Sequence, residues 1–391
     1  MLLLDEALAL LKSVQYTLPT EVVGLHKAVG RILAQDVHSD MDMPPFDKAS
    51  VDGYACRWAD LEKPLQLIET VAAGSVPSHP VGPEQCTKIM TGAKVPEGAD
   101  CVVMVEHTRL DAESKIVVEI RPKKSNIAKK AEDIHRGDIV LTKGALLRPS
   151  HLAVAASVGA SELIVARRPA VTVFSTGDEL VSPEAIPSEG QIRDANSSQL
   201  LALLQQMQLD PVFGGIIPDR EAETESMMAK ALQTSDVLLL SGGISMGDYD
   251  YVPKVLQRLG FNILFKSLAV QPGRPTVFAS SGSQFILALP GNPVSSHNIF
   301  RLLGMPLLYH LMGHNYIAPV VKLPLAVDFS RKNAERLLFV PVRIEADGSI
   351  QPLDYHGSAH INALSEAHGL MSIAAGAKEI KAGEKADVRL F

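Results

Sequence analysis

At 391 residues the chain is long enough for roughly two to four domains, and 46% hydrophobic with 21% charged residues is a globular composition that excludes a largely disordered chain. Lys plus Arg number 37 against 44 Asp plus Glu, and the net charge of −7 argues against coating nucleic acid, which needs clustered positive charge. No apolar run approaches the roughly 20 residues of a membrane span. Met1 to Leu11 carries Asp5 and Glu6 without a basic lead, so it reads as an amphipathic helix rather than a signal peptide. Cys56, Cys86 and Cys101 are too few for a disulfide framework and form no Cys-x-x-Cys zinc pair, so they read as small core residues. The expectation is a soluble cytoplasmic protein that binds neither nucleic acid nor membrane.

Along the chain, helical patterns occupy Asp5 to Val14 and Pro149 to Val158, the second opened by Pro149-Ser150. They fall in residues 1–43 and 137–168. Between them, 44–136 holds short β-type runs at Leu65 to Val71, Cys101 to Glu106 and Lys115 to Ile120, punctuated by Gly and Pro clusters. From 169 to 316 the period changes. Strand-like runs at Ala170 to Phe174, Pro211 to Ile217, Val237 to Leu240, Ile263 to Val270 and Phe285 to Leu289 are interleaved with helices at Ser197 to Met207, Arg220 to Leu232 and Val252 to Leu259. One long helix, Val294 to Leu311, closes the series. That alternation predicts a parallel-rich α/β sheet buried on both faces, with ligands at the carboxyl ends of its strands. Residues 317–391 return to β texture, and Asp347-Gly348 between Leu337 to Ile344 and Ile350 to Tyr355 marks a hairpin. A small antiparallel barrel or sandwich is expected there.

The candidate chemistry follows from this frame. In Pro44-Pro45-Phe46-Asp47 leading to Asp52-Gly53-Tyr54-Ala55, the prolines fix an extended approach and Gly53 permits a tight turn beside an acid. Ser175-Thr176-Gly177-Asp178-Glu179 follows a buried strand, so its two acids emerge where α/β sheets do chemistry. They either bind a divalent cation or act as a general base. Ser241-Gly242-Gly243-Ile244-Ser245-Met246-Gly247-Asp248-Tyr249-Asp250 has the same placement, with small residues for close backbone approach and two acids beside a phosphate-binding loop. Gln271-Pro272-Gly273-Arg274-Pro275 offers Arg274 as an oxyanion ligand, whereas Leu289-Pro290-Gly291-Asn292-Pro293 is explained by capping the next helix. Lys123, Lys124, Lys129, Lys130 and Arg136 read as a solvated surface. The His310/His314 and His356/His360 pairs are interrupted by glycine and lack the zinc motif's glutamate.

Together these segments resemble the molybdopterin molybdenumtransferases, a family that includes bacterial enzymes and the E domain of gephyrin. The motifs that carry the resemblance are Pro44 to Ala55, Met90-Thr91-Gly92-Ala93 with Val95 to Asp100, Glu132-Asp133, Thr176 to Leu180, Ile192 to Asn196, Ser241 to Asp250 and Leu289 to Ser295. Their order is that of the family across nearly the whole chain. The resemblance implies four domains: an elongated arm (1–43 and 137–168), an inserted β domain (44–136), a molybdopterin-binding α/β domain (169–316) and a C-terminal β-barrel (317–391). It implies a homodimer whose site lies between the third domain of one chain and the second of the other. The implied reaction cleaves adenylylated molybdopterin and inserts molybdate with Mg2+ or another divalent cation. Molybdopterin adenylyltransferase and apo-molybdoenzymes are the implied partners.

By motif position, the resemblance places Glu179, Asp219, Ser245 and Asp250 at the metal–phosphate region, with Glu179, Asp219 and Asp250 as metal ligands. It draws Asp52, Thr91 and Asp133 from the partner chain, and sets Gly177, Asp178, Gly242, Gly243, Gly247 and Asp248 against the cofactor. Arg274, Arg336 and Ser358 correspond to molybdate-binding positions. Two usual lysines are missing, replaced by Ser267 (beside Lys266) and Gln271, and the Arg-x-x-Gly-Glu-Asp motif is Ala128-Lys129-Lys130-Ala131-Glu132-Asp133. The acids are therefore present while oxyanion recruitment is weakened. The competing readings are an adenylate or nucleotide pyrophosphate hydrolase without metal insertion, and a non-catalytic molybdopterin-binding scaffold.

Overall fold

The computed structural model describes residues 1–244, 251–354, 357 and 359–391. Helix α1 (Leu4–Lys12) buries Leu4, Ala7 and Leu11 on one face, and Glu6 Oε2 accepts the Leu3 N–H at 2.8 Å. The chain divides into two compact units, one of Val23–Val29 with Gln35–Leu163, the other of Met1–Val22, Gly30–Ala34 and Ile164–Phe391.

The first unit is built on a four-stranded sheet of β1 (Gly53–Cys56), β2 (Gln66–Val71), β3 (Gln85–Ile89) and β4 (Cys101–Met104), ordered β2-β3-β1-β4. All four residues of β1 are buried, because alternate side chains feed two cores: Ala55 packs with Val71, Ile89 and Val102, and Tyr54 and Cys56 with Leu65, Cys101 and Val103. Gly53 is not the turn residue expected from sequence. It opens β1, where a Cβ would lie 1.9 Å from the Val103 carbonyl oxygen, so close strand approach explains the glycine. Cys56 faces Cys86 on β3 and Cys101 on β4, with the Cys56 and Cys101 sulfurs 3.7 Å apart. Burial pushes the Cys86 thiol up to about 12, and the contact with Cys101 followed by burial raises that of Cys56. Helix α2 (Pro149–Ser157) starts with proline at its first position, as expected.

In the second unit, β5 (Val171–Thr176), β6 (Val212–Ile217), β7 (Val237–Ser241), β8 (Asn262–Ser267), β10 (Pro275–Ser280) and β11 (Phe285–Leu289) form one sheet, ordered β6-β5-β7-β11-β10-β8; β9 (Val270–Gln271) leaves it. Every residue of β5, β7 and β11 is buried, as their apolar runs require. Helix α3 (Ala195–Gln206) packs on β5 and on α6 (Pro293–Ile299), while α4 (Glu221–Leu232) packs with α5 (Val252–Arg258). Phe174, Leu238, Leu240 and Ile286 meet Met228, Val255 and Leu256 in one core.

Three features differ from the sequence reading. The sheet is mixed: β6–β5, β5–β7 and β7–β11 are parallel, but β11–β10 and β10–β8 are antiparallel. Strand β10 was hidden because it begins at Pro275, within a segment whose Pro-Gly-Arg-Pro signature reads as a loop. The run Ile263 to Val270 is two strands, since β8 ends at Ser267 and β9 joins a different sheet. The long helix is α6, then a π-helical segment Phe300–Gly304, then α7 (Met305–Leu311) with Pro306 near its start.

Strand β9 pairs in parallel with β13 (Leu337–Ile344) of the C-terminal sheet, which adds β12 (Val320–Pro324), β14 (Ile350–Pro352), β15 (Gly369–Ile373) and β16 (Lys385–Leu390). The expected hairpin is present, Val342 to Ile344 pairing with Ile350 to Pro352 around Gly348 at φ +83°. Alternating Leu338, Val340 and Val342 pack on Met371, Ile373 and Val388. Among the described residues the named strands follow the path β9-β13-β15-β16-β12, and directly after β12 Leu325 bridges Ile350 of β14, with the Ala326 N–H donating to the Ile350 carbonyl at 2.8 Å. Among them also, no helix is long and apolar enough to cross a membrane.

Gly53→Ala is expected to cost about 2–3 kcal/mol by overpacking β1 against β4. Urea denaturation should show a lower midpoint at unchanged slope; a midpoint equal to that of the parent would mean that the strands move apart freely.

Candidate functional site

The carboxyl ends of β5, β7 and β11 are level, Ser175 pairing with Ser241 and Ser241 with Leu289. Their loops therefore leave together and crowd. At Gly242 (φ +99°) a Cβ would lie 2.5 Å from Thr176 Oγ1, and Gly291 stands within 3.6 Å of the Gly242 Cα by the same measure. The Gly242 N–H donates to the Leu289 carbonyl at 3.0 Å. The small residues expected at a ligand-approach loop are thus required by backbone proximity.

Two residues that the motif reading did not assign hold this cluster. Asp194, buried at the N-terminus of α3, accepts from Ser175 Oγ at 2.8 Å and from the Ser197 N–H at 3.1 Å; its second oxygen, Oδ2, is buried without a partner among the described residues. Asn196 Nδ2 donates to Ser241 Oγ at 2.7 Å and to the Gly291 carbonyl at 2.6 Å, tying the β7 and β11 loops to α3. The signal was in the sequence as Asp-Ala-Asn before a helix, a capping pattern whose third residue has a second task.

The predicted acids sit on this edge. Glu179 folds back over Gly177 (φ +142°), where a Cβ would lie 2.3 Å from Glu179 Oε2. Asp178 Oδ1 accepts the Asp219 N–H at 3.2 Å, so the β5 and β6 loops place Asp178 and Asp219 side by side. Ser245, Gly247, Asp248 and Asp250 lie outside the described residues, as do Tyr355, His356 and Ser358. Among the described residues no group of three His, Cys, Asp or Glu side chains is gathered for a metal. His310 Nε2 lies 2.9 Å from the Val14 carbonyl oxygen.

Beside these loops is a cavity of about 470 Å3 lined by Ile244, Pro253, Lys266, Ser267, Arg274 and Val277. It is cationic because β10 runs antiparallel to β11. That reversal brings the start of β10, with Arg274 just before it, to the edge where β11 ends, and β8 runs back to put Lys266 there too. Bulges in the β8–β10 ladder fall on either side of Phe265, one of them between Phe265 and Ser267. The loop is anchored by Asn298 Nδ2 donating to the Pro272 carbonyl at 2.9 Å and Thr276 Oγ1 to that of Gly273 at 2.9 Å. Pairing of β9 with β13 sets Gln271 opposite Leu338, next to Arg336, whose Nη1 reaches the Val270 carbonyl at 3.5 Å.

In the other unit, Asp52 Oδ1 accepts both the Thr91 N–H and its hydroxyl at 2.6 Å, and these bonds, the hydroxyl's first, lower the Asp52 pKa. Asp133 and Glu132 line a separate cavity of about 550 Å3 with Met43, Pro44, Lys48 and Ala128. The basic run is exposed and ion-paired, Lys129 to Asp47 at 2.8 Å and Lys130 to Asp42 at 3.2 Å.

Three family descriptions match successive segments: "MoeA N-terminal region (domain I and II)" over residues 2–159, "Probable molybdopterin binding domain" over 172–310, and "MoeA C-terminal region (domain IV)" over 322–391. The chain is 32% identical to a molybdopterin molybdenumtransferase of Haemophilus influenzae, covering 100% of this chain and 99% of that one. The chain belongs to the molybdopterin molybdenumtransferase family. A second relative of that name, from Staphylococcus aureus, is 31% identical over 98% of this chain and 94% of its own. A crystal structure of the molybdopterin biosynthesis MoeA protein from Pyrococcus horikoshii superimposes with a TM-score of 0.86 at 30% identity, covering all of both chains. The crowded strand ends, Asp194, Asn196 and the Lys266–Arg274 cavity all fall within the segment matched as a probable molybdopterin-binding domain.

Removing the Thr91 hydroxyl tests the Asp52 clamp. Because the folded-state pKa of Asp52 is lowered, the clamp's contribution is complete above the unfolded carboxylate pKa of about 3.9 and is lost as pH falls through the folded value. In Thr91→Val, carboxyl carbon NMR should show Asp52 titrating at higher pH than in the parent. An unmoved titration would deny the hydroxyl its role.

Proposed function

We propose that this chain cleaves adenylylated molybdopterin, releasing AMP, and inserts molybdate into the dithiolene of the molybdopterin. One observation carries this reading: acids and glycine-lined strand ends share an edge of the sheet with a pocket lined by Lys266 and Arg274, and Ile244 joins the two. The acidic part suits phosphoryl chemistry and the basic part suits a dianion.

In adenylate cleavage, water bonds to the adenylyl phosphorus, the bond to the molybdopterin phosphate oxygen breaks, and the water's proton passes to a carboxylate. The Gly243 N–H approaches the phosphate without side-chain interference, while the Gly242 N–H holds the loop to the Leu289 carbonyl. Carboxylate oxygens suit a hard divalent cation, and Glu179, Asp219 and Asp250 would hold Mg2+ or its equivalent. Such a cation, when bound, neutralises charge on the phosphates. Asp178 positions the Asp219 loop through its N–H.

Molybdate recruitment in this reading falls to Lys266, Arg274 and Arg336, with Ser358 completing the set. Ser267 and Gln271 lack the charge that the family resemblance implies there, but Lys266 lines the same cavity as Arg274, so the deficit is smaller than those two positions alone imply. We also propose a cytoplasmic homodimer in which Asp52, Thr91 and Asp133 of a second copy complete the site. Molybdopterin adenylyltransferase supplies the substrate, and apo-molybdoenzymes receive the product. The four-domain division, with a C-terminal barrel-type unit over 317–391, belongs to the same reading and is supported by the boundaries of the matched segments.

Incubation with adenylylated molybdopterin, molybdate and Mg2+ should release AMP and yield molybdenum-loaded cofactor; AMP release with no metal incorporated would reduce the function to hydrolysis, and neither product would leave a carrier. Glu179→Gln keeps the side chain's shape and deletes its charge, so AMP release should fall about 10²-fold. Survival within threefold would exclude this carboxylate from cation binding or base catalysis. Lys266→Ala should raise the half-saturating molybdate concentration about 5- to 10-fold, the loss of one partly exposed charge contact of about 1 kcal/mol. AMP release should stay at the parent rate, because the acids lie on other loops.

A further inference from the structure

Away from these loops, the second unit holds a cavity of about 300 Å3 whose polar lining is almost entirely basic. One wall is α1, which presents Leu4, Leu8 and Lys12 at successive i, i+4 positions. Opposite are Arg301 and Leu302 from the π-helical segment and Pro306 from α7; Arg389 of β16 and Tyr316, ahead of β12, complete the polar groups. The widened π turn puts two consecutive residues, Arg301 and Leu302, on one cavity, which a regular α-helix does not favour because neighbours there diverge by about 100°.

Among the described residues no carboxylate lines the cavity, and neither arginine forms an ion pair. Arg301 instead donates Nη2 to the Leu390 carbonyl at 2.7 Å and stacks over the Phe391 ring at 4.8 Å. Arg389 lies 6.0 Å over the Phe339 ring, and its Nε is buried without a hydrogen-bond partner among the described residues. Lys12 Nζ donates to Asn315 Oδ1 at 3.0 Å. Asp387 and Asp5 act on Arg389 from a distance, and Asp387 is shared with Lys322 at 3.8 Å. Burial lowers the pKa of both arginines, so the protein holds two partly desolvated guanidinium groups that stay charged and face an empty-walled, apolar space.

We propose that this cavity binds a small amphiphilic anion, an apolar body bearing one carboxylate or phosphate group. The anionic group would sit between Arg301 and Arg389, where a planar guanidinium fork matches either oxyanion, and the body would lie along Leu4, Leu8, Leu302 and Pro306. The volume admits a small molecule and not a folded segment. Because α1, α7 and β16 all contribute to it, an occupant would tie the start of the chain to its C-terminal sheet.

Isothermal titration calorimetry on the full chain tests this with hexanoate and hexyl phosphate as the two anion arms, and with hexanol and inorganic phosphate as controls. Binding of either amphiphilic anion, at least about tenfold tighter than both controls, is expected, and the tighter arm identifies the group. Arg301→Gln and Arg389→Gln should each weaken it about tenfold or more without changing AMP release. The exposed Lys12→Ala, which cannot disturb the core, should weaken it by a smaller factor and serves if either arginine variant misfolds. Equal binding of hexanol would show a merely apolar pocket. Equal binding of inorganic phosphate, or full affinity in every variant, would equally overturn the proposal.

Discussion

Backbone proximity at the carboxyl ends of β5, β7 and β11 is the constraint on which the site depends. Three parallel strands paired without offset end at one level, so three loops must turn away in the space of a strand spacing or two. Side chains do not fit between them: Thr176 occupies the volume that any residue other than glycine would need at 242. Asn196 then converts crowding into order, because a single amide group binds both the Ser241 hydroxyl at the end of β7 and the Gly291 carbonyl in the loop after β11. The same closeness keeps side chains away from the strand ends, because the Gly242 N–H is bonded to the Leu289 carbonyl and its Cα faces Thr176 and Gly291.

The mixed character of the sheet has an equally direct effect on charge. Had β10 and β8 continued the parallel series, the residue entering β10 would sit at the far edge. Antiparallel pairing returns the Pro272-Gly273-Arg274 loop to the edge that carries Asp178, Glu179 and Asp219, where β8, running in the same direction as β11, also ends with Lys266. Acids on the β5 and β6 loops and cations at β8 and β10 are then separated across the sheet rather than neutralising one another. A substrate with one phosphate-rich end and one end that must capture an oxyanion can lie across that gradient.

Much of this was legible in the chain. Strands buried on both faces announce themselves as unbroken apolar runs, which is why Val237 to Leu240 and Phe285 to Leu289 could be placed closely from sequence. Acids after such runs must emerge at the carboxyl edge. What escaped were features decided by tertiary partners. Strand β10 starts at a proline inside a turn signature, and only pairing with β11 on one side and β8 on the other makes it a strand. Gly53 looks like a turn glycine until the Val103 carbonyl is placed beside it. The π-helical segment carries no local mark, since Phe300 to Gly304 is as apolar as the helices that flank it. Lys266 was read as a neighbour of a missing lysine; its place on the cavity wall depends on how the β8–β10 ladder brings it back to the site edge.

The row of cysteines across β3, β1 and β4 has a consequence for how the first unit can be watched. Alkylation and oxidation both require a thiolate that solvent can reach, and here burial excludes the reagent while the raised Cys56 and Cys86 pKa values suppress the anion. Any labelling therefore counts openings of that sheet, not side-chain fluctuations. When reclosing outpaces the reagent, the labelling rate gives the free energy of opening; when the reagent wins, it gives the opening rate itself. The unit thus carries three native clocks at its centre, one on each of three adjacent strands, timing its unfolding independently of the α/β sheet and with no engineered probe.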